Sequence, residues 1–394
     1  MKEFFSGLLP KVIIAIILGV GLGYVAPEFV VRLFATFNSL FSNFLGFSIP
    51  LIILGLIISG IADLGNSAGK LLVSTLILAY GSTLFSGFFT FFVSEAFLPN
   101  LIDTNAALLS VSKEVSVSLE PFFTIAMPPL FDVMTSLILA FLLGIGISQT
   151  SSNTMKSFFG EFKVIIEKVI SSVIIPLLPI FIFGIFLNMS YSGEAFKLMA
   201  EFGKVLIFVV CLSIVLLLIQ FTVAGLIAKG NPLKLLKTML PAYMTAMGTS
   251  SSAATIPVTL AQTKKTGVNH SIAEFCVPLC ATIHLSGSTL KIVGLSMAIM
   301  MMQGLHIDIL TYTGFIFLLG VTMVAAPGVP GGAIMAAVAI IQSMLNFNEP
   351  AIAVMIAVYI AIDSFGTACN VTGDGAISII INKMSGFKLK EQEV

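Results

Sequence analysis

Long apolar runs, interrupted by short polar clusters, are the dominant pattern along this chain. A helix needs about 20 mainly apolar residues to cross the hydrocarbon of a bilayer. Six runs in the first 230 residues meet that length, at roughly 9–27, 36–62, 70–96, 122–149, 163–190 and 203–228. They are separated at Pro27–Arg32, Asp63–Lys70, Ser151–Lys163 and Tyr191–Lys204, and by one long polar connection at 97–121 that holds Asp103, Lys113, Glu114 and Glu120. The first run, Val12 to Val25, follows Lys2 and Lys11 and has no A-x-A site before Pro27. It therefore reads as a retained first span rather than a signal peptide.

After Lys229 the texture changes. The apolar segments persist, but four polar, helix-breaking clusters interrupt them: GTSSSAATIP (248–257), HLSGST (284–289), APGVPGG (326–332) and GTACNVTGDG (366–375). Irregular backbone at membrane depth is tolerated only where it is buried in protein or lines a cavity. Four such breaks within one stretch predict a cavity built from broken helices. The layout also repeats. A hairpin-like segment (235–260) precedes a long helix broken at Gly287, and another (312–345) precedes a long helix broken near Gly366, 79 residues later. Discontinuous helices in corresponding halves mark secondary transporters, with the site between the repeats.

Composition excludes most other classes. Of 394 residues, 57% are hydrophobic and 10% charged, with a formal net charge of zero and a mean hydropathy of +1.09. So few charges cannot cover a water-facing surface of this size, and a neutral chain has no basic footprint for nucleic acid. A polytopic membrane protein is the expectation. With six spans, a hairpin entering from inside, a span, a hairpin entering from outside and a last span, fourteen Lys/Arg fall on the cytoplasmic side. Four (Arg32, Lys113, Lys197, Lys204) face outside and Lys291 lies in a span. That satisfies the positive-inside rule with both termini cytoplasmic. Cys211, Cys276, Cys280 and Cys369 all lie in apolar segments without companion ligands, and read as small buried hydrophobes rather than a zinc site.

Two acids, Asp363 and Asp374, lie deep in the last apolar span. Insertion scales put a mid-bilayer carboxylate at about 2.5–3.5 kcal/mol, so each is retained for a partner. They stand eleven residues apart, close to three turns, with Thr367 and Asn370 on the same face. Lys291 is the one cation near them in sequence, so the functional reading leaves both acids waiting for a ligand cation: a metal ion on one, a substrate ammonium on the other. The alternatives are an internal salt bridge or a protonated structural aspartate. Asp132, at the start of the fourth span, reads as structural. His284 opens the HLSGST break and fits either a site or a satisfied core histidine.

Hard cations such as sodium take carboxylate, hydroxyl and unwound carbonyl oxygens, which the chain offers at 280–288, 323–327 and 370–374. A substrate carboxylate takes hydroxyls and free N–H groups at a helix N-terminus, which Ser250, Ser251 and Ser252 offer. The VPGG segment, Val329 to Gly332, has the glycines and proline to fold closely over a ligand and move as a gate.

GTSSSAATIPVTL, PLCATIHLSGSTL, GVPGGAIM and NVTGD, in this order and spacing, resemble the dicarboxylate/amino acid:cation symporter family, which includes the glutamate transporter homologues. The resemblance covers the whole chain in layout and is specific over 240–380. It implies an all-α membrane protein of eight transmembrane helices plus two re-entrant helical hairpins, an inverted-repeat transporter of glutamate-transporter-homologue type, forming a homotrimer with an elevator-like transport domain. On that pattern 1–230 is the six-span region, contributing scaffold and trimerisation elements and the third and sixth helices of the transport domain. Residues 231–385 then form the substrate and ion site, and 386–394 a cytoplasmic tail. Residue by residue, the resemblance places the substrate on Ser250, Ser251, Ser252, Ser288, Val329, Pro330, Gly331, Asp363, Gly366, Thr367 and Asn370, with Asp363 receiving the α-ammonium. It places sodium on Asp374 with Asn370, Cys280 and His284, and a second sodium on backbone oxygens near Thr282, Met323, Val324 and Ala326.

The departures from the family pattern decide the substrate expected. Acidic amino acid carriers of the family place an arginine three residues after the ammonium-binding acid, where this chain has Gly366. A buried substrate carboxylate without a partner is disfavoured, so the reading is a neutral α-amino acid, with Gly366 adding room for its side chain. The helix break of the glutamate carriers reads Asn-Met-Asp-Gly-Thr, against His284 to Ser288 here. Tyr80 and Thr83 match the family's third sodium site, but Ser286 replaces its acid and Leu84 its hydroxyl. Two coupled sodium ions are therefore expected, with proton coupling through His284 left open. The expected protein is a sodium-coupled, elevator-type symporter of a neutral amino acid in a bacterial inner membrane, not an enzyme and without a cofactor beyond sodium as coupling ion. One alternative is a C4-dicarboxylate or other organic-anion symporter, opposed by the like charge of Asp363, and another is an ion channel. An intramembrane protease is remote: VTGD meets the GxGD pattern only at Gly373 and Asp374, GTSSS is no G-x-S-x-G elbow, and HExxH is absent.

Overall fold

The computed structural model describes residues 8–64, 70–102, 119–150, 153–191, 195–305, 307–326 and 330–386. Every regular element among them is a helix, as hydrocarbon demands of a chain that must satisfy its own backbone. In order these are α1 (Leu8–Gly23), α2 (Glu28–Leu64), α3 (Lys70–Leu101), α4 (Val133–Gln149), α5 (Asn153–Val169), α6 (Ile175–Tyr191), α7 (Ala195–Ala228), α8 (Pro232–Thr249), α9 (Ser252–Lys265), α10 (His270–Ile283), α11 (Ser286–Met302), α12 (Ile309–Ala325), α13 (Gly332–Leu345), α14 (Glu349–Ala361) and α15 (Asp363–Met384). A π turn over Ile170–Ile174 joins α5 to α6 just before Pro176, whose missing N–H already breaks the regular ladder.

Among the described residues, five helical stretches are long and apolar enough to cross a membrane: Glu28–Ser59, Leu71–Leu101, Asn153–Tyr191, Phe202–Ala228 and His270–Met302. The pair α14–α15 passes the same test and is bent by 61° between its halves. Large apolar side chains such as Ile17, Ile77, Leu142, Ile207 and Leu226 point outward, which suits a lipid-facing surface and no aqueous one.

Two sets of helices pack mainly within themselves. α1 lies along α6, and α2 packs on α4, α5 and α6. In the other set α15 is surrounded by α7, α8, α9, α10 and α11, while α3 lies along α11 and α12. α11 is buried along almost its whole length, as are α14 and α15. α8 with α9, and α12 with α13, pack as helical hairpins.

The fourth run departs from expectation. Its helix starts at Val133, not near 122, because Pro121 and the Pro128–Pro129 pair remove donors and push the preceding residues out of the helical region. Residues 119–132 instead run along α2, with Thr36 Oγ1 accepting from Phe122 N at 2.9 Å and Asn43 Nδ2 donating to Ile125 O at 2.8 Å. Asp132 is the N-cap of α4, accepting from Thr135 N at 2.8 Å, which matches its structural reading. Of the acids and lysine in the 97–121 connection, Asp103, Lys113 and Glu114 lie outside the described residues. Cys276, Cys280 and Cys369 are buried, but Cys211 faces outward, contrary to its reading as a buried hydrophobe.

Two breaks also sit elsewhere than expected. The first long helix breaks at His284–Leu285, so Gly287 lies in the first turn of α11. The second breaks at Ile362, and GTACNVTGDG continues as regular helix inside α15. Its glycines serve close approach rather than unwinding.

Candidate functional site

The two broken helices meet at their glycines. A Cβ on Gly287 would stand 2.5 Å from Gly366 O and 2.6 Å from Cys369 Cβ, so α11 can approach α15 this closely only without a side chain at 287. At this crossing Asn370 caps α11, whose own N-cap Leu285 has no side chain able to do so. Asn370 Oδ1 accepts from Gly287 N at 2.7 Å and from Ser288 N at 3.3 Å, and its Nδ2 donates to Ser288 Oγ at 3.0 Å. Replacing it should matter more than removing any one bond. Asn370→Ala leaves two backbone donors of α11 without partners, at about 1–3 kcal/mol each, whereas Ser288→Ala keeps both backbone bonds to Asn370 Oδ1 and removes only the hydroxyl's contacts with Asn370 and Tyr359. Thermal unfolding of the two purified variants should show the larger fall for Asn370→Ala.

One helical turn away, Asp363 starts α15 with both oxygens engaged. Lys291 Nζ of α11 donates to Oδ1 at 2.8 Å, and Gly331 N donates to Oδ2 at 2.8 Å. Gly331 sits at the tip between α12 and α13 with φ +74°, a left-handed conformation that glycine adopts without strain. Thr367 Oγ1 donates to Asp363 O at 3.0 Å. Lys291 is 1% exposed, and its ammonium also lies 3.6 Å from the centre of the Tyr359 ring, a cation–π position. Its side chain fills the space above Gly366: a Cβ there would overlap Lys291 Cε and lie 2.5 Å from Nζ. This corrects two expectations. Asp363 is not waiting for a ligand cation, and the absence of a side chain at 366 leaves no open pocket.

The second acid belongs to a separate chain of polar groups. Asp374 Oδ1 lies 2.9 Å from His284 Nδ1, and His284 Nε2 lies 3.0 Å from Ser82 Oγ. Gln220 Nε2 donates to Ser82 Oγ at 3.0 Å and to Ser286 Oγ at 3.1 Å, and Ser86 Oγ donates to Ser286 O at 2.6 Å. Asp374 is thus partnered too, against the expectation of a bare acid. Its Oδ2, however, is fully buried with no hydrogen-bond partner among the described residues, and so is Gln220 Oε1. Buried, unpartnered oxygens are the donor type a hard cation takes.

Ser250 ends α8 in the left-handed region (φ +49°), Ser251 caps α9 by accepting from Ala254 N at 3.3 Å, and Ser252 begins α9 and is buried. α9 packs on α15, which brings this tip to the same helix as the acids. Cys280 O accepts from His284 N, and Met323 O from Ala326 N, so both carbonyls close helix ends. The Thr282 hydroxyl faces outward and donates to Leu279 O, and Thr83 Oγ1 turns back to Ala79 O. Val324 lies in the last turn of α12 and Pro330 just before Gly331. Val329 lies outside the described residues.

Ser82, Ser86, Gln220 and Tyr359 were not singled out from sequence. Gln220 carried a signal, as the one amide inside the apolar run 203–228, and Ser82 and Ser86 share a helix face at i,i+4.

The model of the sodium:dicarboxylate symporter family matches residues 8–384. This chain belongs to that family. It is a membrane transporter and not an enzyme. Among relatives, the serine/threonine transporter SstT of Acinetobacter baumannii (strain AYE) is 29% identical over 352 residues, covering 85% of this chain and 86% of that protein. The proteins of the same name from Acinetobacter baylyi (strain ATCC 33305 / BD413 / ADP1) and Streptococcus suis (strain 05ZYH33) are each 25% identical, covering 96% and 83% of this chain and 97% and 92% of theirs. The family match spans every residue of both acid sites.

Proposed function

We propose that this chain is a sodium-coupled symporter of neutral α-amino acids. The observation that carries this reading is the position of Asp363. Its carboxylate joins the tip of the second hairpin, through Gly331 N, to the core helix α11, through Lys291. Lifting that tip frees Oδ2 for a substrate ammonium, while the substrate carboxylate meets the N-terminus of α9 at Ser250–Ser252. The Lys291 ammonium is committed to Asp363 and Tyr359, so it offers no free cation to a side-chain carboxylate, which disfavours acidic substrates. The names of the relatives, serine/threonine transporters, point the same way.

Sodium is the coupling ion on this reading. Asp374 Oδ2 and Gln220 Oε1 supply open oxygens for it, with carbonyls of Cys280, His284 and Asn370 nearby in the chain. A second ion rests on backbone oxygens of Thr282, Met323, Val324 and Ala326. The helix groupings support an elevator-type movement, in which α3 and α7 travel with α8–α15 against a scaffold of the other helices. The architecture is eight spans and two re-entrant hairpins, as a homotrimer in a bacterial inner membrane with both termini cytoplasmic.

Uptake into proteoliposomes tests this directly. With an inward sodium gradient, labelled serine or alanine should accumulate, and aspartate and succinate should not. Accumulation driven by a pH gradient alone would move the coupling role to His284, and succinate as the best substrate would remove Asp363 from ammonium binding.

A further inference from the structure

A buried lysine at the substrate acid has a consequence for what the carrier accepts. Asp363 and Lys291 form an ion pair of zero net charge, with side chains 9% and 1% exposed. Gly366 is what makes the pair possible, since any side chain there would take the volume of the Lys291 stem. A bare carboxylate at this depth would require a cationic substrate group and would repel a substrate that brought only a carboxylate. The neutral pair does neither. The substrate group that meets Oδ2 need only donate a hydrogen bond, as the neutral Gly331 N–H does, and a hydroxyl can donate one.

We propose that Lys291 is a specificity-determining residue that supplies Asp363 with its ammonium from within the chain, so that the carrier also transports short 2-hydroxy monocarboxylates, the counterparts of its amino acids with hydroxyl in place of ammonium. The inference rests on the reading of Asp363 as the acid that faces the substrate α-substituent. It extends the substrate class beyond amino acids.

The test compares matched pairs on the wild-type carrier in uptake driven by an inward sodium gradient: alanine against lactate, and serine against glycerate. Discrimination between the members of a pair should be less than about tenfold, with both labelled compounds accumulating. A preference of tenfold or more for the amino acid overturns the inference and leaves the amino acid reading standing. Transport of neither member overturns both.

The second arm is Lys291→Met, which keeps an unbranched stem against Tyr359 and removes the charge. Asp363 is then uncompensated until a substrate ammonium arrives, so the variant should favour alanine over lactate by a factor at least about ten greater than wild type. An unchanged ratio in folded variant overturns the inference. If Lys291→Met cannot be purified as a monodisperse protein, the wild-type ratio decides alone.

Discussion

Gly366→Ala is expected to destabilise the protein by about 2–4 kcal/mol, although alanine is normally the better helix residue. In a helix interior the exchange should gain about 1 kcal/mol. Against this, the new methyl group would stand 2.5 Å from Lys291 Nζ and 2.8 Å from its Cδ, and would overlap Cε. Lys291 has nowhere to retreat, because it is 1% exposed and held between Asp363 and Tyr359. Breaking a buried ion pair by displacing one partner costs about 3–5 kcal/mol, which outweighs the propensity gain. The check is a double-mutant cycle on thermal unfolding with Lys291→Ala, which removes all three crowded atoms. The two changes together should be no worse than Lys291→Ala alone. Additive losses would mean that the lysine does not rest on Gly366. Larger residues at 366 should fail for the same reason, so Gly366→Arg should not simply confer aspartate recognition.

Much of the architecture was legible because hydrocarbon leaves few options. Runs of sufficient length must be helices, and the Ser-rich and Pro-Gly clusters at 248–252 and 326–332 could only be breaks. What periodicity could not reveal was whether a glycine-rich cluster unwinds a helix or lets another pass close by. HLSGST does contain a break, but GTACNVTGDG is continuous helix, and its first glycine accommodates a lysine stem from 75 positions earlier in the chain. The same limit applies to the acids. Asp363 and Asp374 announced themselves as expensive residues that need partners, yet the partners come from α11 and from the end of α10, a distance in sequence that no spacing rule spans. Lys291 and His284 were visible as candidates; their pairing with those acids is a product of how α11 crosses α15. The fourth run shows the opposite failure, where apolar composition outvoted three prolines that the fold obeyed.

Asp374→Asn should raise the sodium concentration needed for half-maximal uptake by at least about tenfold, equivalent to about 1.4 kcal/mol of ion binding. The charge is the reason. Asn keeps the size of the side chain and, with both a donor and an acceptor, can still hydrogen-bond His284 Nδ1, so the link to Ser82 and Gln220 through the imidazole survives. What is lost is the negative charge at Oδ2, a buried oxygen with no hydrogen-bond partner among the described residues. In a low-dielectric interior a carboxylate with one open oxygen attracts a cation far more strongly than an amide does. The sodium titration separates this role from a structural one. A merely structural Asp374 would lower the maximal rate and the unfolding temperature while leaving half-saturation by sodium where it was. A shift in sodium half-saturation with the unfolding temperature held would assign the open oxygen to the ion. Gln220→Leu provides the control on the same network. It removes the second unpartnered oxygen without changing charge, so its effect on sodium half-saturation should lie in the same direction and be smaller.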